Sequence, residues 1–256
     1  MKSKVYVNIL TRSGLTSLDD GRHLLEIWGR ELPSLVPEKY GNFEPLRKQF
    51  TPGDLESTLT SWAYPFLVKK KKPRMGGSVF MGGGKIPTHG WIHIVTDYKE
   101  NLQVELLNFV RAVSDGFCVD FAFIHPLTEE EFGHDAFSKG VFTFSSNHPL
   151  RTLSITTHEL RKSIPNLYWA TYFGRPYLEM FGHEKFLSMP TCAISEELGE
   201  GLFCIRLSPD ISDFKFNFSK VNDCRSQVKQ HLNLDAFYNP EQGPWHRYSV
   251  PPFDLA

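Results

Sequence analysis

A strand-like run, an amphipathic helix and a second strand-like run follow one another near the middle of the chain. WIHIVT (91–96) and FCVDFAFI (117–124) are rich in β-branched and aromatic residues, which is typical of strands. The apolar positions between them recur at helical spacing: Leu102, Leu106, Phe109, Val110 and Val113. Asp97 and Glu100 resemble a capping box at the start of this helix, and Gly116 closes it. This order of elements restricts the fold to classes that combine helices with sheets.

Other segments repeat the mixture of strands and helices. KVYVNIL (4–10) predicts a strand, and Ser17 with Asp20 predicts a helix that Pro33 ends. Thr51 predicts the cap of a second helix. Strands and helices do not alternate strictly, so we expect an α+β fold with mainly antiparallel sheets packed against amphipathic helices.

The second half of the chain has its own set of elements. Thr156 and Glu159 form a capping-box pattern, and glycines at 199–201 predict a hairpin between two strand-like runs. A final helix is predicted from about Ser219 to Leu232. With 256 residues, the chain divides at about 147 into two similar α+β halves, 1–147 and 148–256, or forms one continuous domain.

Charge and hydropathy favour a soluble protein of the cytoplasm. The net charge is −1, so no overall field attracts nucleic acid or an anionic membrane. No apolar run approaches the roughly 18 residues that a membrane span needs. Four well-separated cysteines form no C-x-x-C pair, which is typical of buried thiols in a reducing compartment.

Motifs for catalysis are incomplete. Gly76-Gly77-Ser78 begins a nucleophile elbow but lacks the final glycine, and Gly82-Gly83-Gly84-Lys85 lacks the spacing of a phosphate loop. His158-Glu159 and His183-Glu184 begin H-E-x-x-H without its second histidine. We therefore expect no catalytic, metal-binding or cofactor-binding residues, and no enzymatic activity.

Two alternatives stay open. Asp97-x-Lys99 and Asp213-x-Lys215 each match the short half of a metal-dependent nuclease or hydrolase site, although neither has a suitably placed second acid. The basic stretch at 69–74 (KKKKPR) is the feature that a nucleic-acid-binding module would use.

Two kinds of surface could bind a protein partner. Acidic residues cluster in TEEEFGHD (128–135), which is expected to be a loop, and at the predicted hairpin. Tyr and Trp beside Arg are common interface anchors. The candidate contact residues are Glu129, Glu130, Glu131, Asp135, Trp169, Tyr172, Arg175, Tyr177, Glu196 and Glu197.

Two stretches carry a resemblance to a known family. The residues concerned are GNFEPL (41–46) with Trp62, YPFL (64–67) and Pro73-Arg74, and then YWATYFGRPY (168–177) up to Gly182. In the spacing of their aromatic, glycine and proline residues, these stretches resemble the α+β immunity proteins of bacterial polymorphic toxin systems, of the immunity protein 52 type. The resemblance implies a protein that binds and neutralises a cognate toxin, for instance a nuclease, by forming a stoichiometric complex.

Overall fold

The computed structural model describes residues 4–99, 101–133, 153–199, 201–243 and 245–255. The described strands form a ten-stranded sheet in the order β3-β2-β4-β5-β6-β1-β7-β8-β10-β9, with helices packed on it. Every strand pair with a described register is antiparallel. The predicted α+β class is confirmed. The chain divides into two compact units, which we call unit 1 (Met1–Ile124 with Leu255–Ala256) and unit 2 (His125–Asp254).

Unit 1 contains most of the strands. They are β1 (Lys4–Thr11), β2 (Lys39–Gly41), β3 (Lys48–Gln49), β4 (Phe66–Lys70), β5 (Met75–Phe80), β6 (Gly90–Asp97) and the first part of β7 (Val119–Leu127). Its helices are α1 (Leu18–Glu31), α2 (Leu55–Leu59) and α3 (Leu102–Gly116), and a 3-10 turn covers Pro33–Leu35. The predicted strands at 4–10, 91–96 and 117–124 are thereby confirmed.

One face of the unit 1 sheet forms the core against α1 and α3. All the apolar positions predicted for α3 are buried, as expected for a helix whose stripe packs on a sheet. The Trp28 ring on α1 meets the Phe109 ring edge-on at 5.4 Å, and the Trp28 indole N–H donates to the Leu35 carbonyl. Gly77 on β5 makes this packing possible, since a Cβ there would lie 2.9 Å from the Trp28 ring.

The helix starts in unit 1 agree with the sequence pattern in one case out of three. The capping box of Ser17 and Asp20 at α1 is confirmed, with both reciprocal hydrogen bonds present. At α2 the predicted cap Thr51 is wrong: Asp54 accepts the Ser57 N–H, because its carboxylate lies one turn closer to the helix. The box predicted before α3 is also wrong, since Asp97 ends β6 and α3 begins after Asn101.

Unit 2 has shorter strands between its helices. Its elements are the end of β7, α4 (Thr157–Leu160), β8 (Ala170–Phe173), α5 (Arg175–Phe181), α6 (His183–Leu187), β9 (Ile194–Glu197), β10 (Phe203–Arg206), α7 (Asp213–Phe216) and α8 (Phe218–Leu232), followed by a 3-10 turn at Leu234–Ala236. The hairpin β9–β10 is confirmed, and Gly199 and Gly201 next to the turn have φ of 71° and 85°, which glycine adopts without strain. The capping box of Thr156 and Glu159 at α4 and the final helix α8 are confirmed as well.

Aromatic rings fill the core of unit 2. The Phe173 ring lies 5.3 Å from Tyr177, and Phe186 lies 5.0 Å from Phe203. The phenylalanine-rich composition is thus used to pack a unit in which β8, β9 and β10 have only four residues each.

Strand β7 carries the chain from unit 1 into unit 2, and all of its residues from Val119 to Leu127 are buried. The domain boundary predicted at 147/148 lies outside the described residues, and so it stays a prediction. Each unit does contain antiparallel strands and one 15-residue helix, α3 in unit 1 and α8 in unit 2.

Candidate functional site

A buried carboxylate in unit 1 is held by an imidazole and a guanidinium, which we call the Asp120 cluster (Arg12, His89, Asp120). Asp120 Oδ1 accepts from Arg12 Nε at 2.9 Å and lies 2.9 Å from Arg12 Nη2. His89 Nε2 lies 3.1 Å from Asp120 Oδ2, and both side chains are fully buried. Because a buried charge must be paired, the cluster joins the end of β1 and the start of β6 to β7.

Unit 2 contains a second arrangement of the same kind, the Glu131 cluster (His125, Glu131, Arg225). His125 Nε2 lies 2.7 Å from Glu131 Oε2, and Arg225 Nη2 donates to Glu131 Oε1 at 2.8 Å. The backbone N–H of Trp169 donates to His125 Nδ1 at 3.2 Å. The Arg225 guanidinium also lies over the Phe214 ring, 5.2 Å from its centroid.

The surroundings of the Glu131 cluster shift its ionisation. Burial lowers the pKa of His125 and outweighs the raising influence of Glu131. Burial alone would raise the pKa of Glu131, but the interactions with His125 and Arg225 outweigh it and lower this pKa to about 2. Of the two partners, His125 lowers the pKa of Glu131 more, and the Arg225 guanidinium adds a charge that persists at every pH.

Both ring nitrogens of His125 are already engaged, which decides what the cluster can do. Since Nδ1 accepts from a peptide N–H, the proton lies on Nε2 and is donated to Glu131. A general base needs a free lone pair directed at a substrate, and His125 offers none in this geometry. The cluster acts as a clamp that joins β7, the helical segment at residues 129–133 and α8.

The acidic candidate contacts fall into two groups. The expected loop at 128–135 is wrong for its described part, because residues 129–133 are helical and Glu131 is fixed in its cluster. Glu129 and Glu130 are exposed, and Asp135 lies outside the described residues. Glu196 and Glu197 are exposed on β9, where His183 Nε2 lies 3.2 Å from Glu197 Oε1.

The aromatic candidate contacts belong to the core of unit 2. Trp169, Tyr172 and Tyr177 are at most 1% exposed, and the Trp169 indole N–H donates to the Ser208 carbonyl at 3.2 Å. Arg175 is exposed and donates to Glu179 at 2.8 Å. As partner contacts these residues stay predictions, and the exposed members of the set are the ones that a partner reaches without rearrangement.

The two alternative sites are placed as follows. Asp97 is half-buried at the end of β6, with Lys99 exposed beyond it, whereas Asp213 and Lys215 lie on the short helix α7, where Asp213 accepts from Asn217. A D-x-K pair on a helix does not share one face, so the second pair lacks the strand geometry of a nuclease site. Among the described residues, no group of three or more His, Cys, Asp or Glu is placed to hold a metal ion.

The basic stretch at 69–74 is partly engaged within unit 1. Lys69 and Lys70 end β4, and residues 71–74 form the turn to β5. Lys69 Nζ lies 3.6 Å from Glu44 Oε1, and Lys70 Nζ donates to the Val36 carbonyl at 3.1 Å. Within the described ranges, no helix is long and apolar enough to cross a membrane.

His125 and Arg225 do not stand out as sites in the sequence. Asp120 does carry a signal, because it lies inside the apolar run FCVDFAFI and aspartate is almost never fully buried without a partner. Arg12 and Asp120 are 108 positions apart, and Glu131 and Arg225 are 94 apart, so spacing carries no information about these pairs.

Comparisons with known proteins place the fold. No protein-family model matches the sequence, and no curated protein matches it. Among solved structures, the chain is similar to the Pseudomonas aeruginosa T6SS protein PA0821, with a TM-score of 0.52 at 8% identity over 97% of this chain and 78% of that one. At this identity the likeness concerns the fold.

Proposed function

We propose that this chain is an immunity-type protein that binds a cognate toxin in a stoichiometric complex and carries out no catalytic step. The sequence resemblance to toxin-immunity proteins supports the proposal. The fold shared with a protein named for T6SS is compatible with it. The resemblance makes binding of another protein the expected task of the chain.

The observation that carries the proposal is the acidic end strand of unit 2. Strand β9 is the last in the sheet order, and among the described strands it pairs with β10 alone. Glu196 and Glu197 are exposed on it. An end strand offers backbone N–H and C=O groups to a partner, and carboxylates beside it favour a basic surface such as the substrate-binding face of a nuclease.

Coexpression with the product of the adjacent gene tests the proposal. We expect a 1:1 complex by light scattering and loss of the adjacent product's toxicity when this chain is present. The variant Glu196→Lys/Glu197→Lys should weaken the complex by at least about tenfold, because it reverses two charges at the interface.

Glu26→Lys is the matched control, since Glu26 is an exposed glutamate on α1 of unit 1. It should leave the affinity unchanged. A neighbour that is neither toxic nor bound would refute the proposed function, and equal losses in both variants would show that β9 is not the contact.

A further inference from the structure

A cavity lies in unit 2 where the chain leaves α8. It has a volume of about 440 Å³, and its lining includes Lys229, Asp235, Phe237, Tyr238 and Gln242. Cavities of a few hundred Å³ accommodate a small ligand or one inserted side chain. The cavity is therefore large enough to receive one side chain of another molecule.

Lys229 gives this cavity an uncompensated positive charge. Its ammonium lies 5.5 Å from the centre of the Phe237 ring and makes no hydrogen bond or ion pair with a described residue. Lys185 differs in this respect, since its ammonium donates to the carbonyl of Leu232, the last residue of the helix that carries Lys229. Burial and, to a smaller extent, the Arg225 guanidinium lower the pKa of Lys229 to about 8, and Glu131 partly opposes this change.

The carboxylate in the lining does not neutralise Lys229. Asp235 Oδ1 lies 2.8 Å from His246 Nε2, and its other oxygen accepts from Ser249 Oγ at 3.3 Å. Both interactions tie Asp235 to the C-terminal segment of unit 2. Among the described residues, no carboxylate forms an ion pair with the half-buried ammonium of Lys229.

The cavity mouth resembles a protein-binding surface. Leu234 and Tyr238, which line it, are 63% and 49% exposed. Trp245, next to the His246 that contacts Asp235, is 92% exposed. Tyr and Trp in such positions are frequent hot spots of protein interfaces. A nucleic acid would instead require several cations, whereas this cavity presents one.

We propose that the cavity receives the carboxylate of one Asp or Glu side chain of the toxin partner, which pairs with Lys229 while Tyr238 packs against the partner's surface. The inference rests on the proposed function and adds a specific contact to it. It assigns two charges of opposite sign to the toxin's surface: a basic region for β9 and one acidic residue for Lys229.

The pairing makes binding depend on pH with a defined sign. A bound carboxylate raises the pKa of Lys229 above its free value, so the contribution to affinity is complete below about pH 8 and is lost as the pH rises from there through the higher pKa of the bound state. The charged groups that face Lys229 are Arg225 on the same helix, Glu131 in the segment 129–133, and Asp235 with its partner His246. Lys229→Arg keeps the charge at every pH in this range and should flatten the dependence.

Calorimetric titration of the full chain with the adjacent gene product tests the inference. Lys229→Gln should weaken binding by about tenfold or more, as expected for removing one partner of a desolvated ion pair. Lys220→Gln is the matched control, because it removes the same charge from the exposed start of α8. Its dissociation constant should stay within about twofold of the wild-type value. Lys229→Arg should retain binding at pH 7.

The outcomes separate the two proposals. If the wild type does not bind the neighbour, the proposed function is refuted and this inference with it. If the wild type and Lys229→Gln bind equally, or if Lys220→Gln loses as much, only the cavity assignment is refuted. Glutarate titrated into the chain alone distinguishes the other source of a carboxylate: saturable binding that Lys229→Gln abolishes would assign the cavity to a small molecule instead.

Discussion

The Asp120 cluster of unit 1 and the Glu131 cluster of unit 2 use the same kinds of side chain in different surroundings. Each holds a carboxylate between an imidazole and a guanidinium. The Arg12 side chain is 30% exposed, whereas that of Arg225 is 7% exposed and covered by Phe214. The two carboxylates are both buried, at 0% and 9% exposed, so the difference lies at the arginine: water reaches the position of Arg12 but not that of Arg225.

The largest expected effect is the loss of Arg225. Arg225→Met leaves Glu131 as a buried charge without its cation, and we expect a loss of about 3–5 kcal/mol in the free energy of unfolding. Arg12→Met should cost less, about 1–2 kcal/mol, because water can enter the space that the 30% exposed Arg12 side chain leaves. Urea unfolding monitored by tryptophan fluorescence measures both. A cost for Arg12→Met equal to that for Arg225→Met would remove the contrast between the clusters.

Acid should weaken the Glu131 cluster in a predictable pH window. Its folded-state pKa of about 2 lies below the ordinary 4.5, so Glu131 adds stability above about pH 4.5 that disappears as the pH falls toward 2. The difference in pKa corresponds to roughly 3 kcal/mol. The pKa of His125 is lowered as well, from its ordinary 6.5. Protonation of this buried imidazole below about pH 6.5 therefore also reduces the free energy of unfolding.

Glu131→Gln isolates the first of these contributions. The stability difference between wild type and Glu131→Gln, measured by urea unfolding from pH 7 to pH 3, should shrink steadily as the pH falls. A difference that stays constant over this range would show that Glu131 is not held ionised by its neighbours.

Replacing the histidines should have an intermediate effect that again differs between the units. His125→Gln removes the acceptor for the Trp169 N–H and leaves a buried donor unsatisfied, at a cost of about 2–3 kcal/mol. His89→Gln can keep a hydrogen bond to Asp120, which Arg12 also neutralises, and should cost about 1 kcal/mol. Thermal unfolding of the two variants gives the order, and the reverse order would contradict the assignment of His125 as a clamp.

The smallest effect on stability is expected at β9. Glu196→Gln and Glu197→Gln should change the free energy of unfolding by less than about 0.5 kcal/mol, because exposed carboxylates are well solvated. This distinguishes them from Glu131, which belonged to the same set of predicted contacts. A large destabilisation in differential scanning calorimetry would place these glutamates among the structural carboxylates.

Local patterns predicted the elements, and the structure shows why they could not predict the clusters. The apolar stripe of α3 and the boxes at Ser17 and Thr156 are encoded within one or two helical turns, so sequence spacing reveals them. Arg225 looks like any charged residue of an amphipathic helix until the fold brings Glu131 to it. Lys229 is likewise identified only by what surrounds it, namely the Phe237 ring and the cavity.

Strand β7 has a practical consequence for dissecting this protein. It carries Asp120 of one cluster and His125 of the other, and none of its residues is exposed. Dividing the chain between residues 124 and 125 would therefore give two fragments. Each fragment retains one charge cluster and has an unpaired, apolar piece of β7 at the new terminus. Such ends associate readily with other strands. Tags, protease sites and crosslinks are better placed at exposed turns such as Gly83–Gly84 than at the division between the units.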